Sequence, residues 1–454
     1  MLKIKYSLPF SQFKLLLGVI TIFSLLIIIE LCIPPPVHGQ SLNKNKYIFY
    51  PETKFAVIAD PHVFEVEGNI NNPIYLKYGV EDRTLLKLSA VILEKAVDDI
   101  IKKDDIDFVI LPGDLTDSGD MKSHQVVAEI LGKFKKTGIQ VYIIPGNHDG
   151  FKTKDYDINK ISREIVTPEE FTKIYNDCGY SSAIYKDNKS LSYVAEPVKG
   201  LWLLMVDSCI YNSPDNYRVC NGRLRTSTLV WIDDILKKAK EQNKAVIGSL
   251  HHSLLEHYKG HQRFFSNYIV DDFEELSNQF AAQNIKVVFT GHHHAQDIVK
   301  KEFENNKFIY DIETSSLIGY PNAYRMIQIN KNNEMEIRSE YIRELTSFKE
   351  NFSSYTKNYV RVKVKQVAED KIKKFYLSLH DLDKISDKAA DAMIAHYQGN
   401  EKIPDTLKIK NLDLWSIFIY GFYKNLLTSL YEDPPPADLN IKIDLRTGSW
   451  SNLD

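Results

Sequence analysis

Apolar residues in this chain gather into short unbroken runs that stop at small or polar residues. Lys54–Ala59 (KFAVIA) stops at Asp60-Pro61-His62, Ile106–Leu111 at Pro112-Gly113-Asp114, and Gln140–Ile144 at Pro145-Gly146-Asn147-His148-Asp149. Leu201–Val206 ends in Asp207, Lys244–Leu250 runs into His251-His252, and Ile285–Thr290 into Gly291-His292-His293-His294. Runs of this length without polar alternation predict strands buried on both faces. Between them the period changes. Leu85, Leu88, Val91, Ile92, Ala96 and Ile100 share one face of a helix expected over Thr84–Lys103, and further helices are expected near Ser123–Lys136, Thr226–Gln242 and Asp271–Gln283. Strand, helix and strand in succession predict βαβ crossovers and an α/β fold. Asp60 and Asp114 then stand at corresponding strand ends, where open α/β sheets bind ligands.

Three regions break this alternation. Residues 64–82 read as a long polar loop with Tyr75 and Tyr78, of the kind that rims a site. Residues 150–200 read as an insertion with a helix near Pro168–Asp177 and a short strand around Leu191–Val194. Phe308–Ile312, Tyr324–Asn330 and Glu334–Arg343 read as strands closing a second sheet. From about Leu345 the chain turns to Lys-rich helical segments, Glu369–Leu379 and Ala389–Tyr397, then the apolar helix Trp415–Tyr431 and Pro434-Pro435-Pro436. The expected division is an α/β domain over 40–344 and a helical appendage over 345–454.

Composition narrows the class. With 44% hydrophobic and 26% charged residues the chain is globular, and a net charge of -3 removes the electrostatic case for binding long nucleic acid. At the N-terminus, Lys3, Lys5 and Lys14 precede an uncharged apolar run from Leu15 to Ile29, and Gly39 follows a proline-rich junction. This pattern predicts a signal peptide over 1–39, with an uncleaved membrane anchor as the rival and Glu30 as the residue that interrupts it. Either way the rest of the chain would be secreted, periplasmic or anchored outside the cytoplasm. Cys178, Cys209 and Cys220 then remain, compatible with one Cys209–Cys220 disulfide or with none.

The polar strand ends carry the chemistry. Asp114 has two carboxylate oxygens and can bridge two metal ions; Asp60-x-His62 places a carboxylate and an imidazole on one tight loop; Asn147 can offer a side-chain carbonyl. A chance distribution would scatter histidines, yet seven of thirteen lie just after predicted strands.

In order, Asp60-x-His62, Gly113-Asp114, Gly146-Asn147-His148-Asp149, His251 and Gly291-His292-x-His294 resemble the five blocks of the calcineurin-like metallophosphoesterases, over roughly residues 54–343. Gly113-Asp114-Leu115-Thr116-Asp117-Ser118-Gly119 is loosely similar to the bacterial branch that includes cyclic-nucleotide phosphodiesterases. The resemblance implies an αββα sandwich of two sheets and a dinuclear metal site hydrolysing phosphomonoesters or phosphodiesters. One ion would take Asp60, His62, Asp114 and His294; the other would take Asp114, Asn147, His251 and His292, with His252 as the alternative to His251. His293 falls outside that set. Oxygen and imidazole donors without thiolate suit Mn, Fe, Zn or Co. Purple acid phosphatases place a ligand tyrosine where this chain has Asp117, so no tyrosinate colour is expected.

The implied nucleophile is a hydroxide shared by the two cations. His148 would protonate or stabilise the leaving oxygen, and Asp149 would orient His148. The sequence departs from the family pattern at Ser253, where many relatives carry Pro. The 64–82 loop and the tail could wall the pocket, with Tyr75, Tyr78, Tyr193, His257 and Tyr320 as candidate contacts to a small phosphate ester. The alternative is a non-catalytic scaffold binding a protein partner; retention of His148 and every implied ligand argues against it.

Overall fold

The computed structural model describes residues 48–65, 84–150, 164–211, 219–346, 348, 351–432 and 434–453. The expected signal or anchor segment, and Tyr75 and Tyr78, lie outside them. Fourteen strands among the described residues build two sheets. They are β1 (Thr53–Val57), β2 (Phe108–Leu111), β3 (Gln140–Ile143), β4 (Tyr185–Lys186), β5 (Tyr193–Val198), β6 (Leu201–Val206), β7 (Ala245–Leu250), β8 (Val287–Thr290), β9 (Asp297–Phe303), β10 (Lys307–Glu313), β11 (Ala323–Ile329), β12 (Glu334–Tyr341), β13 (Asn440–Asp444) and β14 (Trp450–Asn452). The first sheet runs β14-β13-β12-β11-β1-β2-β3 and the second β4-β5-β6-β7-β8-β10-β9.

Period-2 geometry explains why these strands are apolar throughout. Along β6, Leu201, Leu203 and Met205 enter the core between the sheets. Trp202, Leu204 and Val206 pack outward with Ile232, Ile235 and Leu236 of the helix Thr226–Glu241. On the first sheet, Phe55 stacks on Phe108 at 4.5 Å and meets Phe289 of β8 edge-on at 5.5 Å, which ties the two sheets together. The helices Ser89–Ile101 and Met121–Lys136 connect β1, β2 and β3, which run parallel. β6, β7, β8 and β10 are also mutually parallel. The result is the expected two-sheet αββα sandwich with C-terminal helices.

Two expectations change. β11 and β12 extend the first sheet, β11 pairing antiparallel with β1 (Ala56 opposite Met326), and only β10 of the three later strands enters the second. Periodicity reports that a segment is a strand, but not which edge it joins. The tail is also not helical alone. After the helices Phe352–Ile372, Leu379–Tyr397 and Leu414–Ser429 the chain returns as β13 against β12, with Ile441 opposite Ile337, and ends with β14.

Cys178, Cys209 and Cys220 form no disulfide with one another. Among the described residues no helix is long and apolar enough to cross a membrane. Ile443 of β13 is fully buried in the inter-sheet core. Ile443→Ala should therefore cost about 2–5 kcal/mol in denaturant unfolding; a loss within error of zero would contradict docking of the terminal strands.

Candidate metal centre

Each implied ligand sits just past the carboxyl end of a parallel strand: Asp60 and His62 after β1, Asp114 after β2, Asn147 after β3, His251 after β7, His292 and His294 after β8. The backbone there is unusual. Asp60 (φ 49°), His62 (40°), Asp114 (47°), His292 (72°) and His294 (67°) all adopt the left-handed region. Residues with a Cβ seldom do so, and such strain gathers where a constellation of side chains must be aimed. Two glycines are required by close approach: a Cβ on Gly146 would collide with the Asp114 carboxylate, and one on Gly291 with the Asp60 carboxylate.

The side chains converge into two groups that share Asp114. One holds Asp60, His62, Asp114 and His294, the other Asp114, His251 and His292; within each, one ligand atom per residue lies within 4.8 Å of the rest. His62 Nε2 is 3.0 Å from His294 Nε2 and 3.5 Å from Asp114 Oδ2. His294 Nε2 is 3.6 Å from Asp60 Oδ1. In the second group, His251 Nδ1 lies 2.9 Å from the Pro112 carbonyl, which can only accept, so this nitrogen carries the proton. Its Nε2 faces Asn147 Oδ1 at 3.1 Å and Asp114 Oδ2 at 3.3 Å. This nitrogen thus faces two oxygen acceptors from different loops. His292 Nε2 is engaged by the Asn267 carbonyl at 3.0 Å, which leaves Nδ1 for the centre.

Asp114 Oδ1 accepts the His148 backbone N–H at 2.7 Å, but Oδ2, buried, accepts no hydrogen bond. A buried carboxylate oxygen without a donor is costly unless positive charge faces it. Burial raises the Asp114 pKa, but His251, His148 and His62 outweigh it and hold the group well below the usual range. Burial lowers the His251 imidazole, yet the Asp114 carboxylate lifts it to about 9. Either extra protons or cations are needed here, and the donor set fits metal ions.

The other histidines separate cleanly. His252 points away, its Nδ1 2.8 Å from Ser208 Oγ and its Nε2 3.0 Å from the Cys220 carbonyl, so His251 is the inward member of the pair. His293 stacks on His261 at 4.9 Å, outside both groups. His148 lines the cleft beside them, its Nε2 4.0 Å from Asp114 Oδ2.

Asp149 does not orient His148. Its carboxylate turns back into the loop and accepts the N–H groups of Leu115 (3.1 Å), Thr116 (2.8 Å) and Gly146 (2.8 Å) and the Thr116 hydroxyl (3.1 Å). Burial pushes the Asp149 carboxyl up, only partly offset by His124 and these donors. The contact to His148 Nδ1 comes from Asp117, whose carbonyl lies 2.8 Å away and whose Oδ1 lies 3.5 Å away.

The cleft spans about 180 Å³. Beyond the expected residues it is lined by Thr84, Cys220, Phe265, Tyr268, Met393 and Tyr397, none of them expected from the sequence to line a site. Only the i, i+4 spacing of Met393 and Tyr397 on an expected helix hinted at a shared face. Tyr193 is instead buried against Ile143, His257 lies among buried carboxylates, and Tyr320 bonds Gln398.

The family model for calcineurin-like phosphoesterases matches residues 53–296, more than half of the chain. The chain belongs to the calcineurin-like phosphoesterase family. No curated protein matches it. Among solved structures it is similar to a dimetal phosphatase from Danio rerio, with 12% identity, 64% of this chain and 97% of that one covered, and a TM-score of 0.46. A sulfate thiohydrolase from Thermus thermophilus gives 13% identity, 70% and 61% coverage and a TM-score of 0.33. An NAD nucleotidase from Haemophilus influenzae gives 12%, 71% and 61%, and 0.32. Family membership points to a phosphoesterase-type hydrolase, and the Asp and His groups are the places where this calcineurin-like phosphoesterase could hold metal.

The reassignment of Asp149 has a direct test. Asp149→Asn replaces one of the two accepting oxygens with an amide that cannot accept, leaving two of the four donors without a partner, and should cost about 1–3 kcal/mol of stability. A variant of unchanged stability with an altered pH–activity profile would restore Asp149 as the partner of His148.

Proposed function

We propose that this chain is a dinuclear metal-dependent hydrolase of phosphomonoesters or phosphodiesters. The observation that carries the reading is the pair of ligand groups sharing Asp114, whose buried Oδ2 receives no hydrogen bond. Asp60, His62, Asp114 and His294 would hold one ion, and Asp114, Asn147, His251 and His292 the other. Mn, Fe, Zn and Co suit these donors. Such cations, when bound, would supply Lewis acidity, lowering the pKa of bound water and offsetting negative charge on the phosphoryl oxygens.

The protein's own contribution is orientation. The Pro112 and Asn267 carbonyls fix which nitrogen His251 and His292 present. His148, held through Nδ1 by the Asp117 carbonyl, presents Nε2 toward the cleft, where it donates to the leaving oxygen of the ester. Phe265 and Tyr268 give the cleft an aromatic wall suited to the organic part of a small ester. The N-terminal pattern supports action outside the cytoplasm, as a secreted, periplasmic or anchored enzyme.

His148→Ala should retain the metals and lose about 10²–10⁴-fold in turnover of an alkyl phosphodiester, whose leaving group needs a proton. Asp114→Ala should lose both metals and turnover. Full activity of His148→Ala on that substrate would remove the acid role, and full metal content in Asp114→Ala would remove the bridging role.

A further inference from the structure

A second group of titratable side chains lies where the tail meets the second sheet. Asp297 opens β9, three residues after His294; His396 sits in the last turn of the helix Leu379–Tyr397, and Glu401 follows it. One ligand atom from each lies within 4.8 Å of the others. His396 Nδ1 is 3.0 Å from Glu401 Oε1 and 3.7 Å from Asp297 Oδ2. The His396, Asp297 and Glu401 side chains are 2%, 3% and 3% exposed, so water does not solvate their charges.

Their polar atoms are not consumed by the protein. Asp297 Oδ1 and Glu401 Oε2 are buried and accept no hydrogen bond. His257 Nδ1 stands 3.0 Å from Asp297 Oδ1, without hydrogen-bond alignment. Charge is unbalanced as well. Asp297, Asp311, Glu313 and Glu401 surround two imidazoles, His257 and His396, which these carboxylates hold above the ordinary imidazole range against burial, while the nearby buried Arg325 spends its donors on the carbonyls of Glu313, Asp438 and Asp297. Burial pushes the Glu401 carboxyl above its ordinary range even with His396 beside it.

We propose that Asp297, His396 and Glu401 hold a divalent transition-metal ion, of the zinc or manganese class, separate from the catalytic centre and structural in role. Metal–ligand bonds of about 2.0–2.2 Å place ligand atoms roughly 3–4 Å apart, which these side chains reach with small adjustments. Asp297 offers Oδ2, His396 Nδ1 and Glu401 a carboxylate oxygen, while His257 Nδ1 stands beside the other oxygen of Asp297.

The location gives the ion a task. Gln296 N–H donates to the Tyr397 carbonyl at 3.1 Å, and a Cβ on Gly399 would collide with the Gln296 carbonyl, so tail and sheet are in intimate contact here. Met393 and Tyr397, flanking His396 on the same helix, line the catalytic cleft. An ion bridging Asp297 to His396 and Glu401 pins that wall to the strand that begins just after His294. The tail then shapes the substrate cleft through a metal clamp.

The test is zinc content of the full chain, loaded and then desalted, for wild type, Glu401→Gln, His396→Asn and Asp114→Asn. Wild type should carry one ion more than either clamp variant, and Asp114→Asn should keep the clamp ion. That last arm separates this inference from the catalytic reading, on which it does not depend. Equal zinc in wild type and in folded Glu401→Gln and His396→Asn would overturn it. If the variants fail to fold, anomalous diffraction at the zinc edge from the loaded wild-type crystal decides. A peak between Asp297, His396 and Glu401 supports the clamp, and its absence overturns it.

Discussion

The site is organised around one buried carboxylate. Asp114 Oδ1 is tied to the His148 N–H, while Oδ2 faces the imidazoles of His62 and His251 with no hydrogen bond of its own. An uncompensated carboxylate in the interior costs several kcal/mol. Five ligand-bearing residues in left-handed backbone add about 1–3 kcal/mol each. Such an arrangement persists only on a rigid frame, and two seven-stranded sheets locked through Phe55, Phe108 and Phe289 provide it.

The strand ends were legible because burial on both faces leaves no room for polar residues inside a strand, so the runs from Lys54, Ile106, Gln140, Lys244 and Ile285 mark both the strands and the loops that follow. The convergence of those loops was legible from parallel topology. Sheet membership was not: β11 and β12 have the same apolar pattern whichever edge they join, and the place of β11 beside β1, with β12 paired on its other side, is fixed by pairing across more than two hundred residues. β13 alternates polar and apolar residues after a proline-rich stretch, unlike the unbroken apolar runs of the legible strands, and β14 has only three residues.

Side-chain direction was the other blind spot. His251 and His252 are equivalent in the sequence; the Pro112 carbonyl on one and Ser208 on the other separate them. His148 and Asp149 are adjacent, which suggests a pair, but the turn sends the Asp149 carboxylate into the loop backbone and leaves Asp117 beside His148. The tail contributes Met393 and Tyr397 to the cleft through tertiary packing that no local pattern encodes. Its role is thus part of the site's architecture, in keeping with the described residues from Ile48 onward forming one compact unit.

The most direct measurement is hydrolysis of bis-p-nitrophenyl phosphate and p-nitrophenyl phosphate by the full chain after chelation and after repletion with Mn, Zn, Fe or Co, with metal content followed in parallel. The account predicts no turnover in the chelated protein and recovery of turnover as the two groups around Asp114 fill. Turnover that survives complete metal removal, or a repleted protein that binds no metal through Asp114 and its histidines, would contradict it.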